Sequence, residues 1–386
     1  MQRRAAVWLV TLGSLWASVL QAAALAPVEV RVPAAPQIFI GSDGARHLAY
    51  ELHVTNYYSD TGPLSLDGVD VLDADATTPL LRLSGAELAG MSKPQPKEGS
   101  KPVVDPGKRI VVYVWLTLQP GASAPKQLRH HLDLGAAGNA FVVDGVPVSV
   151  DARAVPVIGA PLRGGRWLAH EGPGAAQSHH WGSLVAINGT LTIPQRFALD
   201  LVGVDDAGHA LRPSATDLQK TTYQDWVGYG AEVIAVADGT VVGARDGEVD
   251  NKPFTPQPEP KSLTTNDLFG NYVVIDIGSK AFAGYAHLAR GSVRVKVGDR
   301  VHRGQVIGRL GQSGNSSGPH LHFQLADAPT FEGSEGIPYV FSNYTYYGPE
   351  AEAQLFGQGE RWKATATEAR KAQLPLNDVV VGFPEQ

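Results

Sequence analysis

The stretch that most limits what this chain can become is Gly311 to Leu325, reading Gly-Gln-Ser-Gly-Asn-Ser-Ser-Gly-Pro-His-Leu-His-Phe-Gln-Leu. Its first half, through Pro319, is built of turn formers, and its second half alternates apolar and polar residues as a strand does. A turn that opens into a strand commits the region to a sheet. On that strand residues two apart share a face, so His320 and His322 stand side by side with Leu321 turned away. Two imidazoles on one face suit a metal ligand beside a general base, or two ligands. The spacing alone is uninformative, because twelve histidines in 386 residues give about 0.4 such pairs by chance.

The preceding segments supply context. Asn271 to Ile277 is rich in β-formers, Phe282 to Leu288 ends in Tyr-Ala-His-Leu, and residues 293–308 alternate between turns at Gly298, Gly304 and Gly308. This order, closing on Gly-Pro-His-Leu-His-Phe, resembles the lysostaphin-like (β-lytic) zinc metalloendopeptidases, which cut peptide bonds in bacterial cell walls. The resemblance runs from about residue 193 to residue 325. It implies a zinc ion held by His322, with His320 catalytic and His287 its catalytic companion. The family's first motif, H-x-x-x-D, meets Arg196-Phe-Ala-Leu-Asp200 here. Asp200 is thereby implied as a zinc ligand, while Arg196 stands where the family has its first histidine. Arginine has no lone pair to offer and carries a charge that opposes a dication. Arg196 is left to orient a substrate carboxylate or to pair with Asp200.

Two protein ligands hold a catalytic zinc poorly, since such sites use three. The pair His179-His180 is placed to supply the third. Asn188-Gly189 is a two-residue hairpin turn, so Ile187 should face Thr190. Counting back along an unbroken hairpin sets His180 opposite Phe197 and His179 opposite Ala198. Ideal alternation puts His179 on the Asp200 face, and one bulge exchanges the two. A branch of the resembled family has a histidine about where His180 lies. Both residues therefore stay open, with His180 preferred. Asp200 and His322 must bring their side-chain tips within about 7 Å for either scheme to work, as zinc bonds are about 2 Å long.

Composition sets the outer limits. The chain has no cysteine, which excludes a thiol nucleophile and thiolate metal sites and leaves histidine and carboxylate. Forty-three glycines and 27 prolines, scattered without period, favour a turn-rich, mainly β protein. Met1 to Ala24 reads as an export signal, with Arg3 and Arg4 ahead of an apolar run and Ala22-Ala23-Ala24 at a cleavage point. The run is short for a membrane span. Its removal takes the net charge from −6 to −8, which argues against nucleic acid as a partner.

The chain then divides as export signal 1–24, sandwich 25–157, linker 158–178, peptidase domain 179–345 and tail 346–386. Strands are expected at Val28–Val32, His47–Thr55, Gly68–Asp73, Leu80–Leu83, Ile110–Leu118 and Phe141–Val150. Their spacing suggests an immunoglobulin-like sandwich, and Val112 to Leu116 is apolar on both faces, as a central strand should be. His47, His53, His130 and His131 lie there outside any constellation. Trp167 is read as pinning the linker. The Pro-rich insertion from Asp246 to Asp267 is a candidate lip of the cleft, and Glu360–Gln373 a candidate amphipathic helix. The implied activity is a secreted or periplasmic zinc endopeptidase acting on peptidoglycan peptide or a protein. The alternative is an inactive relative that binds wall or activates a hydrolase, to which Arg196 lends weight.

Overall fold

The computed structural model describes residues 26–215, 217–255 and 264–385. The expected export signal and part of the 246–267 insertion fall outside them. The chain is mainly β, in two units that share a core.

The first unit grows from two long strands, Arg46–Thr55 and Arg109–Leu118, paired antiparallel without a break. Their even-numbered residues (Leu48, Leu52, Val112, Val114) point into one core, and their odd-numbered residues (Ala49, Val111, Tyr113) into another. That explains the doubly apolar pattern: one face meets its own partner sheet and the other meets the second unit. The first sheet runs Glu29–Arg31, Arg46–Thr55, Arg109–Leu118, Ser92–Lys93, with Phe39–Ile40 alongside. The second runs Asn139–Ser149, Gln127–Ala136, Leu64–Asp73, Leu81–Ser84. Gln127–Ala136 was not expected. It contributes Leu128, Leu132 and Leu134 to the core, but its fourth inward position is His130, which breaks the apolar alternation. His130 binds the Tyr50 hydroxyl at 2.8 Å and donates from Nδ1 to the Val146 carbonyl at 2.8 Å. His47 is likewise committed, to Thr117 and Asp43.

The second unit carries a ten-stranded sheet. Its order is Arg300–Val301, Gly239–Arg245, Tyr272–Asp276, Phe282–Ala286, Leu321–Ala326, Leu199–Val204, Arg166–His170, Val379–Gly382, Tyr344–Pro349, Glu368–Arg370. Two expectations give way here. The stretch 158–178 is more than a linker, because Arg166–His170 is an interior strand between Leu199–Val204 and Val379–Gly382. The tail from 346 is part of the sheet, and 360–373 forms no helix. Glu368–Arg370 pairs with Tyr344–Tyr346, and Trp362 is buried with its indole N–H on the Pro349 carbonyl. A short isolated helix has little stability of its own, so pairing with a sheet edge prevails. Trp167 is buried, as expected of a pin, against Gly203 and Gly228. Those glycines touch: a Cβ on Gly203 would lie 2.4 Å from the Gly228 Cα.

The Asn188-Gly189 hairpin forms with Ile187 facing Thr190, both turn residues at positive φ. It is shorter than expected, ending at Val185 and Thr192. Pro194 offers no N–H to continue the ladder, and a turn intervenes before Leu199. The counted register for His179 and His180 therefore does not apply, and both arrive on a separate turn at 178–182.

Candidate metal centre

Strand pairing builds the floor of the site. Asp200 lies directly across from His322 on one side and from His170 on the other, so the three share a face of the sheet. His322 Nδ1 is 3.0 Å from Asp200 Oδ1, well inside the separation a shared ion needs. Gln324 Oε1 accepts from His322 Nε2–H at 2.9 Å, which leaves the Nδ1 lone pair turned toward Asp200.

Two more imidazoles come from the 178–182 turn. His180 is 1% exposed, and its Nδ1–H donates to the Glu171 carbonyl at 2.9 Å. Its Nε2 points at Asp200 Oδ1 from 3.4 Å and is buried with no hydrogen-bond partner among the described residues. His179 brings Nε2 to 3.5 Å from Asp200 Oδ2. One ligand atom from each of His179, His180 and Asp200 lies within 4.8 Å of the others. An orphaned buried lone pair beside a carboxylate is what a metal ion resolves, so the residues present fit one.

The first unit fixes this turn. Trp181, next to His180, donates its indole N–H to Glu51 Oε1 at 2.5 Å and packs edge-on against Tyr113 with ring centroids 5.3 Å apart. Lys93 Nζ donates to the Gly182 carbonyl. Arg196 belongs to the same interface and not to the metal centre. Its guanidinium is buried against Glu51 and Glu335 and also donates to the Gly336 carbonyl. The expectation that Arg196 would orient substrate or pair with Asp200 is corrected accordingly. The side chain was drawn away by two carboxylates whose proximity only the fold creates.

His320 and His287 complete the group. His320 donates from Nδ1 to the Gly318 carbonyl at 2.8 Å and sets Nε2 3.4 Å from Asp200 Oδ1. His287, at φ 62, donates from Nδ1 to the Ser313 carbonyl at 2.8 Å, and its ring lies 4.7 Å from that of His320. Both therefore present an Nε2 lone pair. Burial, reinforced by the charges of His320 and His322, pushes His287 well below the ordinary imidazole range. With Nδ1–H committed to the Ser313 carbonyl, His287 turns Nε2 toward the group as an acceptor. Burial likewise brings His180 down to about 4. Burial alone would raise Asp200, but the neighbouring His320 and His180 imidazoles more than offset this and hold it well below the carboxylate range.

Comparison with known proteins bears on the half of this group that carries His287, His320 and His322. Residues 225–331 match the family described as Peptidase family M23. That segment is a peptidase family M23 domain. It is 38% identical over 96 residues to the peptidoglycan DD-endopeptidase ShyA of Vibrio cholerae, covering 25% of this chain and 17% of that protein. It is 37% identical over 75 residues to the glycyl-glycine endopeptidase ALE-1 of Staphylococcus capitis, covering 19% and 20%. The match thus spans about a fifth of the length of these relatives. Asp200, His179 and His180 lie upstream of the M23 match, and the sheet and the clamped turn bring them to it.

Beside the M23 histidines opens a pocket of about 360 Å³, lined by His170, His179, Asp200 and His320 on one side and by Trp226, Phe254 and Phe356 on the other. Phe254 comes from the 246–267 insertion, held by its backbone N–H on the Ser317 carbonyl, and forms a lip of this pocket. Gly318 must stay small, because a Cβ there would sit 2.7 Å from the Trp226 ring. Two pocket residues beside the histidines, His170 and Glu171, escaped the sequence reading. His170 donates from Nδ1 to Asp378 at 2.8 Å, and Glu171 holds both turn histidines. Their signal was the alternating Arg166–His170 run, hidden inside an apparent linker.

Proposed function

We propose that this chain is an exported zinc endopeptidase that hydrolyses peptide bonds in peptidoglycan cross-links, working in the periplasm or outside the cell. The observation that carries the reading is the buried, partnerless Nε2 of His180 aimed at an Asp200 that also faces His322. Asp200, His180 and His322 are the proposed zinc ligands. The names of the M23 relatives supply the substrate class.

When bound, zinc polarises a peptide carbonyl and lowers the pKa of water toward about 7. The chain's own residues do the rest. His320, its Nδ1–H fixed by Gly318, takes the proton from the attacking water at Nε2. His287, kept neutral by burial, offers a second acceptor that aligns the same water. The aromatic wall excludes solvent on the side away from the histidines. Phe254 and the short helix Glu352–Leu355 flank the substrate's path.

Export rests on residues 1–24. Among the described residues no helix is long and apolar enough to cross a membrane. We also read the first unit as an immunoglobulin-like sandwich: with Glu29–Arg31 as A, Arg46–Thr55 as B, Leu64–Asp73 as C, Leu81–Ser84 as C′, Ser92–Lys93 as D, Arg109–Leu118 as E, Gln127–Ala136 as F and Asn139–Ser149 as G, its two sheets follow the order A-B-E-D and G-F-C-C′. The unit boundary is then best placed near residue 155, with the tail inside the second unit. The alternative of an inactive binding or activating module drew on Arg196, and that residue is engaged elsewhere.

The test is metal analysis joined to digestion of isolated cell wall. One zinc per chain, and cleavage of cross-linked peptides that stops with a chelator and returns with zinc, is expected. A chain that takes up no zinc on reconstitution and leaves cross-links whole would overturn the proposal.

A further inference from the structure

We propose that His179 is a fourth protein ligand to the same ion, so that the centre folds closed and must release this imidazole before it can act. The inference rests on the zinc reading above and adds a residue to it.

The geometry treats the two neighbouring histidines alike. His179 Nε2 meets one oxygen of Asp200 at 3.5 Å, and His180 Nε2 meets the other at 3.4 Å. Two ligand atoms bound about 2.0–2.1 Å from one tetrahedral ion sit roughly 3.3–3.4 Å apart, so both contacts have the span of a shared ion. A single residue aims both rings. The Glu171 carbonyl accepts from His180 Nδ1–H, and the Glu171 carboxylate lies 3.4 Å from His179 Nδ1 while accepting the His179 backbone N–H at 2.9 Å. A carbonyl or carboxylate behind the imidazole is the usual support of a metal-ligating histidine, since it fixes the tautomer and turns the other nitrogen to the metal. Glu171 takes φ 54 in providing both, a conformation uncommon outside glycine.

The two rings differ in what surrounds them. His180 is sealed behind Trp181 and the first unit, whereas the His179 side chain is 61% exposed and lines the pocket where a substrate would lie. His180 is therefore the permanent ligand and His179 the one that can leave. Catalytic zinc sites keep one position open and structural sites fill all four. With His179 in place this centre is of the closed kind, and swinging the ring into solvent frees both a coordination position and the pocket.

The experiment uses the full chain loaded with one zinc. X-ray absorption should count three imidazoles in the wild type and two in His179→Ala. Zinc should dissociate at least about tenfold more readily from the variant, while its hydrolysis of wall peptides rises. Glu171→Ala keeps the carbonyl that holds His180 and should shift affinity and rate in the same directions. Two imidazoles in both proteins with equal zinc affinity, or a rate that falls in His179→Ala, would overturn the inference. A wild type that holds no zinc would instead defeat the reading beneath it.

Discussion

The guanidinium of Arg196 grips the carboxylate of Glu51 at two points, Nε to Oε1 at 2.8 Å and Nη2 to Oε2 at 2.9 Å, joining the two units through a buried pair. Glu51 Oε1 also takes the indole N–H of Trp181, so the pair is tied to the turn that presents His180. Arg196→Met strands the Glu51 carboxylate out of water. Removing one partner of a buried pair typically costs about 3–5 kcal/mol, and urea unfolding should show a loss of that size. Adding Glu51→Gln should recover part of it, because only the Glu335 carboxylate, with its side chain 22% exposed, is then left without its arginine. A single-variant loss below about 1 kcal/mol would mean the pair does not hold the units together.

What was legible in the sequence was local. The period-two placement of His320 and His322, the Asn188-Gly189 turn and the doubly apolar strand around Tyr113 each depend on neighbours within a few residues, and each is present. Asp200 was placed by resemblance, and the sheet register seats it across from His322. The way His180 reaches the site was not derivable, because it arrives on a turn fastened by Glu51, Lys93 and Tyr113, more than sixty positions upstream. Arg196 looked like a site residue for the same reason: proximity in sequence to Asp200 outweighed an unseen partner. The tail failed differently. Its Val379–Gly382 strand is readable as apolar, but nothing local says that its neighbour is Arg166–His170.

Ligand assignments separate cleanly by metal content. His322→Ala should abolish zinc binding, and His180→Ala should weaken it at least about tenfold, with melting of the metal-free proteins little changed. Trp181→Phe keeps the ring but loses the bond to Glu51, and a smaller loss of affinity is expected because the turn loosens while the imidazole stays. Competition with a chromogenic chelator measures all three. Unchanged affinity in His180→Ala would shift the third position to His179.

The catalytic pair is expected to show the opposite pattern. His320→Ala should keep a full complement of zinc and lose about 10²–10⁴ in turnover, the range for a positioned general base. His287→Ala should also keep zinc and fall by less, because its Nε2 aligns water without taking the proton. Turnover of a defined cross-linked peptide, with zinc measured on the same samples, is the check. Zinc lost from His320→Ala and retained in His322→Ala would exchange the two assignments.

A last prediction concerns stability at alkaline pH. Glu350 is 2% exposed, and neither carboxylate oxygen has a hydrogen-bond partner among the described residues. Burial, with the charges of Asp205 and Asp378 adding to it, pushes the group up from 4.5 to about 8. Between those values the folded chain keeps a proton that the unfolded chain has released. The stability this group contributes is therefore fully present below its unfolded value and is lost as pH rises through about 8. The melting temperature should fall between about pH 6 and about pH 9. Glu350→Gln, neutral throughout, should flatten that fall and melt higher than wild type at the alkaline end. The consequence reaches the site, since Glu350 leads directly into the helix Glu352–Leu355, whose residues line the pocket. Parallel melting curves for the two proteins across this range would show that Glu350 is already ionised in the folded chain.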